Sequence, residues 1–156
     1  MRAFGTALAA VSLAAAALIV PATAAQATAT GTASNHCDDI WPGRNGYMYA
    51  YADTNCYNKL GQTTGNDPNW NTDQPGEDLV NANDKASSVM NAGYTGSLSA
   101  VRFYYLENYS SGSNCLAASE FYVDNLGRNT FSNGENMENN IRSHKWVDAT
   151  CGMWMH

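Results

Sequence analysis

Apolar and polar residues alternate with a period of two in two stretches of the chain. Tyr47-Met48-Tyr49-Ala50-Tyr51 places three tyrosines on one face of a strand, and Val101-Arg102-Phe103-Tyr104-Tyr105 aligns Val101, Phe103 and Tyr105 with Arg102 opposite. Turn formers punctuate the rest: Gly65-Asn66-Asp67-Pro68, Gln74-Pro75-Gly76, Gly127 and Ser132-Asn133-Gly134. Asn, Gly, Ser, Asp and Tyr are plentiful while Leu, Lys and Glu are scarce, which works against long helices. The pattern predicts an all-β domain of several short strands with one helical turn.

One segment does not belong to this pattern. Met1-Arg2 opens with a positive charge, and Ala7 to Val20 is an apolar run broken only by Ser12. Pro21 ends the run, and Ala22-Thr23-Ala24 and Ala25-Gln26-Ala27 offer small-x-small cleavage patterns. This is the plan of a secretory signal peptide over residues 1–27, too short for the ~20 residues of a membrane anchor. Removing it takes away one cation, Arg2, and leaves seven Lys and Arg against 14 Asp and Glu, a net charge of −7. A secreted chain with that charge is repelled by nucleic-acid backbones and anionic membranes. No second hydrophobic span follows, so the expected product is released to the outside, and a monomer is the expected state. Cations, proteins and carbohydrates are the partner classes left open.

All four cysteines, Cys37, Cys56, Cys115 and Cys151, follow the signal segment, an even count that predicts two disulfides in an exported protein. None forms a C-x-x-C pair, and His36 and His156 lack the three or four partners at recognisable spacing that a zinc site needs. Residues 28–36 are small and polar and read as a flexible leader.

The most informative pattern is a repeat. Asn83-Asp84-Lys85-Ala86-Ser87-Ser88 returns 56 residues later as Asn139-Asn140-Ile141-Arg142-Ser143-His144, each copy downstream of an aromatic strand and each followed by a large apolar residue, Met90 or Trp146. Two copies suggest two related sheet units packed face to face, and are too few for a solenoid or propeller. Asn/Asp-Asn/Asp-x-x-Ser/Thr-Ser is the calcium signature of the βγ-crystallin fold. Residues 83–88 match all four specified positions, and residues 139–144 match three, with His144 in place of the last serine. The aromatic-Gly motif of that fold is degraded: Tyr105, Ser110 and Gly112 keep its first and last members, and Tyr51, Cys56 and Asn58 only the first. From Cys37 to Cys151 the chain resembles the secreted actinobacterial branch of this fold, the streptomycete metalloproteinase-inhibitor family.

The resemblance implies a two-sheet Greek-key sandwich of βγ-crystallin type, one domain over residues 37–156 built from related motifs of about 37–95 and 96–156. Pairing Cys37 with Cys56 and Cys115 with Cys151 would keep one bridge in each unit. The resemblance also implies calcium ligands: Asp84, Lys85 and Ser87 from the first clamp, and Asn140, Ile141 and Ser143 from the second. Second-position side chains, third-position carbonyls and fifth-position hydroxyls supply the oxygens that a hard cation takes. Asp84 is the only charged side chain among the ligating groups, and so few charges imply an affinity of ~10⁻⁴–10⁻³ M, as in extracellular modules.

The resemblance implies inhibition of a secreted protease, with calcium stabilising the scaffold. The family's short disulfide-closed reactive loop is missing, since no two cysteines lie closer than Cys37 and Cys56. The long polar segments Gly61 to Gly76 and Asn125 to Gly134 stand in as candidates. The alternative is a calcium-binding module that attaches to cell wall, glycan or protein without inhibiting anything. Catalysis has little support: there is no G-x-S-x-G or H-E-x-x-H, and Glu135 and Glu138 read as a solvated turn leading into the second clamp. With few aliphatic residues available, most aromatics are needed in the core, and Trp41 and Trp154 are the tryptophans expected at the surface.

Overall fold

The computed structural model describes residues 34–72 and 78–156. The signal segment 1–27, most of the leader and residues 73–76 of the first candidate loop lie outside them. Asn35 caps a short helix α1 (His36–Asp39), its side chain accepting from the Cys37 amide (3.1 Å) and donating to Asp124 (2.9 Å). The ordered fold therefore takes in Ser34 to His36, which the sequence assigns to the leader.

Seven strands follow: β1 (Met48–Tyr51), β2 (Lys59–Thr63), β3 (Ser88–Asn91), β4 (Ala100–Leu106), β5 (Ser110–Leu116), β6 (Tyr122–Val123) and β7 (Ser143–Val147), with 3₁₀ turns after β1, β5 and β6. They form two antiparallel sheets, ordered β2-β1-β3-β6 and β5-β4-β7. The expected Greek-key sandwich is present, with one feature that the two-unit division misses. β6 comes from the second half of the chain but pairs with β3 of the first sheet, Val89 opposite Val123. Asp67, from the first half, makes the reciprocal bridge to His144 of β7. Each half lends one extended segment to the other's sheet.

The period-two faces behave as their patterning requires. Met48, Ala50, Val101 and Phe103 point into one core with Trp70, Leu79, Val89, Leu116, Phe131 and Ile141, and Tyr105 packs against it. On the outer face of the first sheet, Tyr49 and Tyr51 join Cys37, Cys56 and Met90 in a second cluster, with Tyr47 packed against it. The tyrosine face is buried because the α1 segment, tied by the Cys37–Cys56 disulfide, lies over it. The second bridge joins Cys115 to Cys151, so both pairings match the expectation. Among the described residues no helix is long and apolar enough to cross a membrane.

The duplication is written in the backbone at a spacing that corrects the sequence alignment. Tyr51 pairs with Ser88, and Tyr104 pairs with Ser143. The Ser88 hydroxyl accepts from the Cys56 amide (3.0 Å) and donates to the Asp53 carbonyl (2.6 Å). The Ser143 hydroxyl does the same with Tyr109 (3.1 Å) and Leu106 (2.7 Å). Ser143 is thus the counterpart of Ser88, so the clamp repeats after 55 residues rather than 56. Left-handed backbone recurs in the same pairs: Asn55 and Asn108, Cys56 and Tyr109, Asn58 and Ser111, Asp84 and Asn139. The aromatic-Gly motif moves with it, to Tyr104, Tyr109 and Ser111. The Tyr104 and Tyr109 rings meet edge to face at 5.8 Å. Ser111 (φ +65°) and Asn58 (φ +55°) hold the conformation for which that motif uses glycine.

Candidate cation site

Each clamp is a turn leading into the last strand of its half of the chain, β3 or β7, and the two are laced together by paired main-chain bonds. The Asp84 amide donates to the Ile141 carbonyl (3.1 Å), and the Asn139 amide donates to the Ala86 carbonyl (2.9 Å). Ala86 and Ile141 are both fully buried beneath them. This arrangement decides which atoms face the crossing. Ile141, expected to give its carbonyl to a metal, has that oxygen occupied by Asp84. Ser143, expected as a hydroxyl ligand, is buried and spent on the β4–β5 hairpin. The third, fourth and fifth positions of the second clamp are Asn140, Ile141 and Arg142, matching Lys85, Ala86 and Ser87. Asn140 donates through Nδ2 to the carbonyls of Asn136 (3.0 Å) and Glu138 (3.1 Å).

The two crossings differ in charge. At one, Arg142 reaches the Asp84 carboxylate through Nε (3.0 and 2.9 Å) and Nη2 (2.8 Å). Hydrogen bonding to Asp84 raises the guanidinium pKa above its ordinary value. A side-chain cation of the chain's own stands where the clamp pattern places a hydroxyl. At the other crossing, the Ser87 hydroxyl donates to Glu138 Oε1 (2.5 Å), and Asn139 Nδ2 donates to the same oxygen (3.2 Å). Glu138 Oε2 is buried and has no hydrogen-bond partner among the described residues. A carboxylate oxygen in that state is costly unless something positive or a donor meets it. Glu138 is therefore not the solvated turn residue that the sequence suggests; Glu135 is exposed as expected.

A hard divalent cation fits this second crossing. Ser87 offers a hydroxyl, Glu138 a carboxylate with an oxygen that has no partner among the described residues and Asn139 a side-chain amide, oxygen donors of the kind calcium takes. The Lys85 ammonium points back to the Asn81 carbonyl and is exposed. Asp84 and Ser87, both expected as ligands, end up at different crossings. Glu138 and Asn139, which stand at the second crossing with Ser87, are absent from the ligand set expected from the sequence. The run Glu138-Asn139-Asn140 allows a second register one residue earlier, but only Asn139 and Ser143 match the four specified positions in it, against three in the register starting at Asn139. The identical letters at Asn83/Asn139 and Ser87/Ser143 favoured the wrong one.

The tryptophans divide differently from the expectation. Trp70 is wholly buried, while Trp146 is half-buried along with Trp41 and Trp154. The Trp70 indole N–H donates to His144 Nδ1 (2.8 Å), and His144 Nε2–H donates to the Gly65 carbonyl (3.1 Å). Burial pushes the imidazole pKa from 6.5 down to about 3, against the opposing effect of the Gly65 hydrogen bond. A neutral ring with one accepting and one donating nitrogen satisfies both neighbours.

No family model and no curated protein matches the chain. Among solved structures it is similar to a βγ-crystallin from Ciona intestinalis, at 20% identity over 65% of this chain and 99% of the other, with a TM-score of 0.45. A structure described under the evolution of the eye-lens βγ-crystallin domain fold aligns at 20% identity over 78% and 95%, with a TM-score of 0.46. A βγ-crystallin from an archaeon aligns at 23% over 65% and 96%, with a TM-score of 0.45. The strand orders, the exchanged segments and the paired hairpin serines make this chain a two-sheet Greek-key sandwich of βγ-crystallin type.

Proposed function

We propose that this is a secreted, non-enzymatic binding module whose sandwich is stabilised by one calcium ion at the Ser87–Glu138–Asn139 crossing. The observation that carries the reading is the buried Glu138 Oε2, which has no hydrogen-bond partner among the described residues, beside the Ser87 hydroxyl. One carboxylate in the ligand set places the affinity at ~10⁻⁴–10⁻³ M, suited to extracellular calcium. Binding only to the folded state stabilises by RT ln(1 + [L]/Kd), about 1–2 kcal/mol at millimolar calcium. The test is thermal melting in calcium and in chelator. Calcium should raise the melting temperature of the parent protein; Ser87→Ala should reduce the rise, and Glu138→Gln should remove most of it. A melting curve indifferent to calcium sinks the reading.

Inhibition of a secreted protease is the second reading, favoured by the segment 125–134. Asn125 Oδ1 accepts from the Gly127 amide (2.9 Å), Thr130 bridges Asn136, and the Phe131 amide donates to the Glu135 carbonyl (2.8 Å). Leu126 and Phe131 anchor it in the core, leaving Ser132 to Gly134 as an exposed tip with fixed ends. Ordering in advance of binding is what a substrate-like loop needs to dock without a large entropic cost. Stoichiometric loss of activity of a thermolysin-like protease supports this reading, and unchanged activity removes it.

A further inference from the structure

The segment between β3 and β4 presents two large apolar side chains to solvent, Tyr94 (66% exposed) and Leu98 (61%). They flank a cleft of about 370 Å³ whose other walls include Thr64, Asn66, Gly93 and Trp146. No side chain lining it is charged, in a protein whose formal net charge is −6.

The two aromatic walls are held in place by glycine. A Cβ on Gly46 would lie 2.9 Å from the Tyr94 ring, and one on Gly93 would lie 2.3 Å from the Trp146 ring. Each ring is seated against bare backbone, which fixes its position while Tyr94 keeps most of its surface free. Asn66 is fixed as well, its Oδ1 accepting from the Trp146 amide (2.8 Å). The Trp146 indole N–H is buried with no acceptor among the described residues. The cleft thus combines preset aromatic surface with amide and hydroxyl groups, and lies in the size range of small-molecule sites.

We infer that this cleft binds a neutral saccharide unit. A pyranose has an apolar C–H face that stacks on aromatic rings and a rim of hydroxyls that pair with amides and hydroxyls. It carries no charge for this uncharged cleft to compensate. An acidic or basic ligand finds no counter-ion here, and a purely apolar one leaves the Asn66 amide and Thr64 hydroxyl without partners. The inference rests on the binding-module reading but not on the cation site, which lies in different residues.

The test is a ¹H–¹⁵N titration of the purified protein with cellotriose and with tri-N-acetylchitotriose, in calcium and again in chelator. The expected result is a saturable shift of the Trp146 indole cross-peak with at least one trisaccharide. Tyr94→Ala should weaken binding about tenfold while leaving the melting temperature in place. Thr64→Val supplies a second variant, at a position exposed enough to keep the fold. No shift with either sugar, equal shifts in the parent and Tyr94→Ala, or a response only to a leucine-containing tripeptide overturns the inference. A silent sugar titration beside calcium-dependent melting removes the cleft's assignment and leaves the cation reading standing.

Discussion

Acidification tests the buried His144 directly. The ring is fully enclosed, and its counterpart in the first half of the chain is Val89. Its pKa is depressed from 6.5 to about 3 by burial, so the folded state holds it neutral over most of the acid range. Above pH 6.5 neither folded nor unfolded chain protonates it, and its contribution to stability is fully present. Below that, the unfolded chain takes up a proton that the folded chain refuses, and stability falls by about 1.4 kcal/mol per pH unit until the folded ring titrates. At pH 5 the loss amounts to about 2 kcal/mol. For a domain of this size that lowers the melting temperature by roughly 6–12 °C. Urea denaturation followed by tryptophan fluorescence at pH about 7 and about 5 reads it out. His144→Gln is the control, because glutamine can accept from Trp70 and donate to Gly65 without titrating. The parent should lose about 2 kcal/mol more than His144→Gln between the two pH values. Parallel pH profiles for the two proteins would refute the reasoning.

Other perturbations follow from the same geometry. Arg142→Ser should raise the calcium stoichiometry in isothermal titration from one to two, while costing under about 1 kcal/mol in chelator because its ion pair with Asp84 is half-exposed. Ser143→Ala should destabilise by about 1–3 kcal/mol in urea, since it removes a buried hydroxyl that bonds both the Tyr109 amide and the Leu106 carbonyl, yet leave calcium affinity unchanged. Ser111→Gly should stabilise by about 0.5–1 kcal/mol in the same assay by relieving left-handed backbone at an exposed site.

The fold was legible because its two strongest signals are local. Period-two alternation marks β1 and β4, and the spacing of four cysteines is compatible with a bridge inside each half. The exchange of β6 and Asp67 was not legible, since a two-residue strand and a one-residue bridge leave no periodic trace. Nor was the polar packing around β7. Where the first sheet buries Val89, Val123 and Leu126, the second uses His144, Asp67 and Trp70 at the equivalent positions. The aliphatic set and the hydrogen-bonded set fill the same space by different chemistry, and alternation alone does not register the second. The clamp was found but misaligned by one residue. Its register is set by which residue is buried, Ala86 or Ile141, and by which serine ties the hairpin, and both are long-range facts.

That single-residue correction changes the physical account of the two crossings. With Ser143 as the fifth residue, both clamps carry a hydroxyl and the molecule is symmetric toward calcium. With Arg142 there, the duplicated sites become opposites. One is pinned by a guanidinium covalently attached to the chain, present at any calcium concentration and worth at most about 1 kcal/mol for so exposed a pair. The other keeps a buried carboxylate oxygen without a hydrogen-bond partner among the described residues, and under the proposed function a calcium ion would meet it, for an expected gain of about 1–2 kcal/mol at millimolar calcium. Under the proposed function, the dependence of stability on calcium is thereby concentrated at the Ser87–Glu138 crossing. Because Asp84 and Asn139 are locked by reciprocal bonds to Ile141 and Ala86, a cation bound there would tighten main-chain contacts between the two clamps. Its effect is expected in the unfolding of the whole sandwich rather than in the fraying of one turn, and hydrogen exchange at the Asp84 and Asn139 amides should slow together when calcium is added.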